Sequence, residues 1–188
     1  MRHKYPTQAF VLARSPIAEA STLVTLLTRD VGLVRARAQG VRMPGAKLAS
    51  ALPTFAESDV VLVAGKDGWR LSGAVLGTNW FTALSRDARL RTARTAALLL
   101  RLVHGESPDP ALFDLFLAYV RALSVEPSDA HDALETLAAL HLLSLLGLDA
   151  GALPSGTELF SRAAITQAGV DRVTYIARIN RGIAASGL

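Results

Sequence analysis

The apolar residues of this chain change their spacing once, near residue 82, and that change limits the fold more than any other feature. Before it, short runs rich in Val, Leu and Thr recur: "QAFVLAR" (8–14), "STLVTLLTR" (21–29), "LVRARA" (33–38), "ESDVVLVAG" (57–65) and "WRLSGAVLG" (69–77). Turn formers separate them, with "RSP", "RDVG", "MPG" and "GKDG" in the gaps. After it, "ALSRDARLRTARTAALLLRLVHG" (83–105) is built of Ala, Leu and Arg, all strong helix formers. Strand-like spacing followed by helix-like spacing predicts an α+β chain of two domains, 1–80 and 81–188.

Five short strands in some 70 residues point to a small barrel or sandwich. "TRDVGL" and "GKDGW" each set Asp and Gly between two strands, as a tight hairpin does. A five-stranded OB-fold barrel fits this spacing, and in that fold one sheet face and its loops bind oligonucleotides or oligosaccharides. The rear half predicts an all-α bundle of four or five helices. Ser107 before Pro108 is a start signal, Ser128 an expected N-cap and Gly147 a stop. Thr157 or Asp171 is expected to cap the last two helices.

Composition narrows the chemistry. Hydrophobic residues make up 51% of the 188 positions and aromatics 6%, which excludes a disordered chain and calls for a core of Leu, Ala and Val. The longest apolar run, "LAALHLLSLLGL" (137–148), is too short to span a bilayer and carries His141. "MRHKYPTQ" has no apolar segment behind it, so no signal peptide is expected, and the location expected is the cytoplasm. There is no cysteine, which removes disulfides and thiolate metal sites. The four histidines lack metal-ligand spacing, and His141, among leucines, reads as a packing residue. Glu57 and Asp59 share a strand face, which reads as a solvated edge rather than an acid–base pair. Phosphate-loop, dinucleotide and hydrolase-elbow motifs are missing, so no catalytic residue, metal or cofactor is expected.

Charge is distributed unevenly. Residues 1–50 hold eight Lys/Arg against two Asp/Glu, residues 51–100 six against four, and residues 101–188 six against ten. A basic front half suggests a polyanionic partner. On a strand of period 2, Arg35 and Arg37 point to one side and Gln39 continues the row. Arg42 and Lys47 follow in a Gly/Pro loop, and Arg14 closes the first strand. Arg86 and Arg89 share one side of the first long helix, Arg91 and Arg94 another, so only one side can extend a phosphate track. Trp69, beside the "KDG" turn, is the aromatic expected to be exposed for base stacking, while Phe10 and Phe55 read as core. Two readings stay open at this point: a phosphate-binding strand, or arginines that keep an edge strand soluble in a protein–protein adaptor.

Residues 19–55 resemble the N-terminal region of the RecO family of bacterial recombination mediators. The family's acidic loop, "LT-x-x-x-Gly" hairpin, "Ala-Lys-Gly-x-Arg" strand end, Pro/Lys loop and "Leu-x-Pro-Phe" segment correspond to Ala18-Glu19-Ala20-Ser21, Leu27-Thr28 with Gly32, Ala38 to Arg42, Pro44 to Lys47, and Leu52 to Phe55. "INRGIAASGL" (179–188) is similar to the family's closing helix. Ala18 and Gln39 depart from the pattern, and the family's four-cysteine zinc module has no counterpart here. The resemblance implies an OB-fold and a helical domain, binding of single- and double-stranded DNA, strand annealing, and recombinase loading onto DNA coated with single-stranded-DNA-binding protein. It implies RecR and the acidic C-terminal tail of the coating protein as partners, on the bacterial nucleoid. It also makes Arg35, Arg37, Arg42 and Lys47 the expected phosphate contacts, with Arg14, Arg86 and Arg89 as extensions.

Overall fold

The computed structural model describes residues 3–18, 21–39, 47–154 and 158–187. The chain forms two compact units: Met1–Ala83 with Gly105–Phe113, and Leu84–His104 with Asp114–Leu188.

The first unit is a ring of five strands, β1 (Lys4–Ala18), β2 (Ser21–Thr28), β3 (Gly32–Gln39), β4 (Ala56–Gly65) and β5 (Gly68–Asn79). They pair in the order β1-β2-β3-β5-β4, and β4 pairs back to β1, which closes the barrel. Every pairing is antiparallel except β3 with β5. Alternation builds the interior: Ala9, Val11, Val24, Leu26, Val34, Ala36, Ala38, Val60 and Leu62 all turn inward and are buried. A short helix, α1 (Lys47–Ala51), lies between β3 and β4, and Leu48 and Leu52 join this core.

β1 is longer than the turn signal "RSP" predicts, because it serves two partners in succession. Lys4 to Phe10 pair with β4 and Ala9 to Ala18 pair with β2, so only Ala9 and Phe10 are held on both sides. Pro6 and Pro16 each fall where one neighbour alone is paired, and there a missing N–H is tolerated. Past the barrel, α2 (Trp80–Ala83) begins directly after β5. Trp80 donates its indole N–H to Glu57 at 3.1 Å, so Glu57 is a structural acceptor while Asp59 on the same face is exposed. Phe10 and Phe55 are buried as expected, with ring centroids 6.2 Å apart. The β2–β3 turn ends at Gly32, whose φ is +90°, and the Ser107 backbone lies against it: a β-carbon at Gly32 would sit 2.3 Å from the Ser107 carbonyl oxygen.

The second unit is helical, with α3 (Arg86–Leu102), α4 (Pro110–Val125, whose first turn belongs to the other unit), α5 (His131–Leu145), α6 (Arg162–Val170) and α7 (Arg172–Ala185). α5 carries the core, burying Leu134, Leu137, Leu140 and Leu143 completely. Several helix starts differ from the expected ones. Asp109 rather than Ser107 caps α4, its carboxylate accepting from the Leu112 N–H at 3.1 Å, with Pro110 at the first helical position. Ser128 opens a single 3-10 turn instead of capping α5. Ser161 caps α6 through its hydroxyl, and Asp171 precedes α7 without a side-chain cap bond. Thr157 lies outside the described residues. Among the described residues no helix is long and apolar enough to cross a membrane.

Candidate nucleic-acid interface

The outer side of β3 follows from its sequence. Val34, Ala36 and Ala38 are fully buried, so Arg35, Arg37 and Gln39 are turned outward, and all three are exposed. Directly paired residues point the same way, which places Thr25 beside Arg35 and Leu23 beside Arg37 on β2. On the other side the parallel β5 sets Arg70 opposite Arg37. Arg70 reaches across to donate to the Gln39 side-chain oxygen at 3.1 Å, so Gln39 orients a third guanidinium over the same face. Among the described residues no ion pair engages Arg35 or Arg37. Their charge is directed at solvent.

This row borders a cleft of about 690 Å³ lined by Arg37, Gln39, Lys66, Trp69 and Arg70, with the β4–β5 turn at its edge. Trp69 is only half-exposed, since its other side packs on the barrel core, so it is less open than the turn beside it suggests. Tyr5 meets Trp69 edge to face at 5.2 Å, and His3 meets Tyr5 at 5.0 Å. Arg70 and Lys66 are the cations that the sequence does not single out. Their local pattern is that of any strand and turn, and only the β3–β5 pairing, which joins segments some 30 residues apart, brings them to Arg37.

The remaining candidates divide. Arg14 is exposed but pairs with Val24, itself opposite Ala36, so the alternation sets it on the other side of the sheet from Arg35 and Arg37. Arg42 lies outside the described residues, and Lys47 begins α1 with its side chain likewise outside them. Arg86 is exposed and Arg89 half-buried at the start of α3, in the second unit.

Arg91 and Arg94, by contrast, are structural. The Arg91 side chain is 13% exposed and bonds Asp87 (2.8 Å), Asp132 (2.6 Å) and Glu135 (3.0 Å), while Arg94 bonds Glu135 at 2.6 Å. Hydrogen bonds from Arg91 hold the Asp87 and Asp132 carboxyls below the usual carboxylate range, against the opposing effect of burial. Both ring nitrogens of buried His131 face oxygens, Asp87 at 2.9 Å and the Glu126 carbonyl at 3.1 Å, so it too belongs to this network. His141 packs near Phe160, and burial pushes its imidazole below the ordinary value. Among the described residues no group of three His, Asp or Glu is placed to hold a metal ion.

Residues 1–76 match the family model described as "Recombination protein O N terminal". The curated "DNA repair protein RecO" of a Cyanothece species is 30% identical over 150 residues, covering 79% of this chain and 51% of that protein. The protein of the same name from Synechococcus elongatus is 39% identical over 117 residues, covering 61% of this chain and 44% of that one. The chain thus spans about half the length of the curated relatives it matches.

Proposed function

The chain belongs to the RecO family, and on that footing we propose that it is a non-enzymatic DNA-repair and recombination mediator whose OB-fold barrel binds DNA through the outer face of β3. The observation that carries the reading is a set of three guanidinium groups on one face, Arg35 and Arg37 of β3 and Arg70 brought opposite Arg37 by the β3–β5 pairing, with no carboxylate partner for Arg35 or Arg37 among the described residues. The strand order β1-β2-β3-β5-β4 with a helix between β3 and β4 supports the OB-fold assignment.

Guanidinium groups in a row neutralise successive phosphates without reading bases, so the site takes single and double strands of any sequence. Loose neutralisation of two strands at once is what annealing needs, since complementary segments must slide to find register. In this reading the chain anneals complementary strands and helps load recombinase onto DNA coated with single-stranded-DNA-binding protein. RecR and the acidic tail of the coating protein are its partners, and its setting is the bacterial cytoplasm and nucleoid. Arg42 and Lys47, which follow β3 in the sequence, are proposed as further phosphate contacts; Arg14, on the other side of the sheet, and Arg86 and Arg89, in the helical unit, are proposed as separate contacts.

The test is a salt titration. Binding of a labelled single strand, followed by anisotropy, falls as salt rises. The triple variant R35Q/R37Q/R70Q binds more weakly, with a slope flattened by about 0.7 for each phosphate no longer neutralised. Unchanged affinity and slope would show that this face is not where DNA lies.

A further inference from the structure

The cleft beside β3 holds more than a phosphate track requires. Phosphate contact needs cations alone, yet Arg37, Lys66 and Arg70 share this cleft with Trp69, and Tyr5 buttresses Trp69 from the neighbouring barrel wall. We propose that this cleft is a base-stacking pocket for unpaired nucleotides: one base lies against Trp69 while the flanking phosphates meet Arg37 and Arg70.

Three features support it. Trp69 is anchored, because one side packs against the barrel core and Tyr5 meets it edge-on at 81°, so little side-chain freedom is left to lose on binding. Arg70 is pre-oriented by its bond to Gln39; it follows Trp69 on β5, where the pleat turns Trp69 toward the barrel core and Arg70 outward, and both line the cleft, one from each side of the strand. The cleft, at about 690 Å³, falls within the roughly 300–1,000 Å³ of small-ligand sites and so has room for a nucleotide. A base inside a duplex has both faces covered by its neighbours. The pocket therefore gives the barrel a preference for single strands that the arginine row cannot supply, and it does so without regard to sequence, since every base has a π-face.

The proposal rests on the DNA-binding reading above, and two probes separate their failures. One is an oligothymidylate of roughly eight nucleotides, within the usual span of about 4–16 for one OB-fold; the other is an abasic strand of equal length, with the same phosphates and no bases. The native chain is expected to bind the thymidylate more tightly by roughly 5- to 100-fold, the effect of stacking one base. Its fluorescence should fall on binding. In W69F this fall disappears, because the remaining tryptophan, Trp80, is buried with its N–H held by Glu57. W69L, which keeps the packing against the core, should bind both strands equally. Equal binding of the two probes by the native chain, or quenching that persists in W69F, overturns the pocket and leaves the phosphate track standing. Absence of salt-sensitive binding to either probe overturns both.

Discussion

Two glycines of the barrel have nearly the same backbone and very different surroundings, and substituting each isolates the effect of one tertiary contact. Gly32 has φ +90° and Gly68 has φ +93°, both in the left-handed region. A methyl group at Gly68 meets nothing within 4 Å, whereas at Gly32 it would lie 2.3 Å from the Ser107 carbonyl oxygen and 2.8 Å from its carbon. Gly68→Ala thus carries only the backbone term, about 1–2 kcal/mol. Gly32→Ala carries the same term and an overlap with main chain, which cannot rotate aside, adding roughly 1–3 kcal/mol. Both tryptophans, Trp69 and Trp80, lie in the barrel unit, so urea unfolding followed by their emission reports on that unit. The expected outcome is a lower midpoint for both variants, with G32A lower by a further margin corresponding to the overlap. Midpoints that coincide would refute the close approach of the Ser107 backbone to the β2–β3 turn.

Two further outcomes concern the helical unit. Arg91→Gln removes three hydrogen bonds to carboxylates, but Asp87 and Asp132 are nearly half exposed and Glu135 keeps Arg94, so the expected loss is roughly 1–3 kcal/mol by far-UV circular dichroism during urea unfolding. Because Arg91 lowers both aspartate pKa values in the folded state, that stabilisation is full above the unfolded value of about 3.9 and fades as pH falls through the folded values, so native and variant should converge in acid. His141 behaves in the same sense for a different reason: its folded pKa is lowered, so the native chain loses stability as pH falls from about 6.5, and His141→Leu should lose less over that interval. A native chain and H141L with parallel pH profiles would remove His141 as a source of acid sensitivity.

The parts of this fold that could be read from sequence are those encoded in neighbouring residues. Alternation in "LVRARA" gave the outward direction of Arg35 and Arg37, and the Asp-Gly turns gave the two hairpins, because both are properties of a few adjacent positions. The five strands and the five rear helices appear for the same reason. Strand partners are different. Arg70 joins Arg37 only because β5 lies parallel to β3, and no short-range pattern specifies that. The extension of β1 past Arg14 was hidden by Pro16 in "RSP", whose strand-breaking effect depends on whether a neighbour is paired there. Arg91 and Arg94 resemble Arg86 and Arg89 in sequence, and their role is decided by carboxylates some 40 residues away on α5. The cap of α4 lies two residues beyond the expected Ser107, at Asp109, because two cap formers stand close together there.

The divided allegiance of β1 also fixes an order of events. Its later half meets β2 across a hairpin, with Ala18 opposite Ser21, and that pairing is available as soon as both segments exist. Its first half waits for β4, with Lys4 opposite Val63, so closing the ring means drawing together points nearly 60 residues apart. Loop-closure entropy makes such contacts late and slow, and until they form the first half of β1 is an open edge able to pair with another chain. The prolines at positions 6 and 16 fall in the stretches left single-sided even in the finished barrel, where a missing N–H withholds one rung from a foreign strand. Pro16, which obscures the end of β1 in the sequence, and Pro6 thus guard the edges of this strand while the barrel closes.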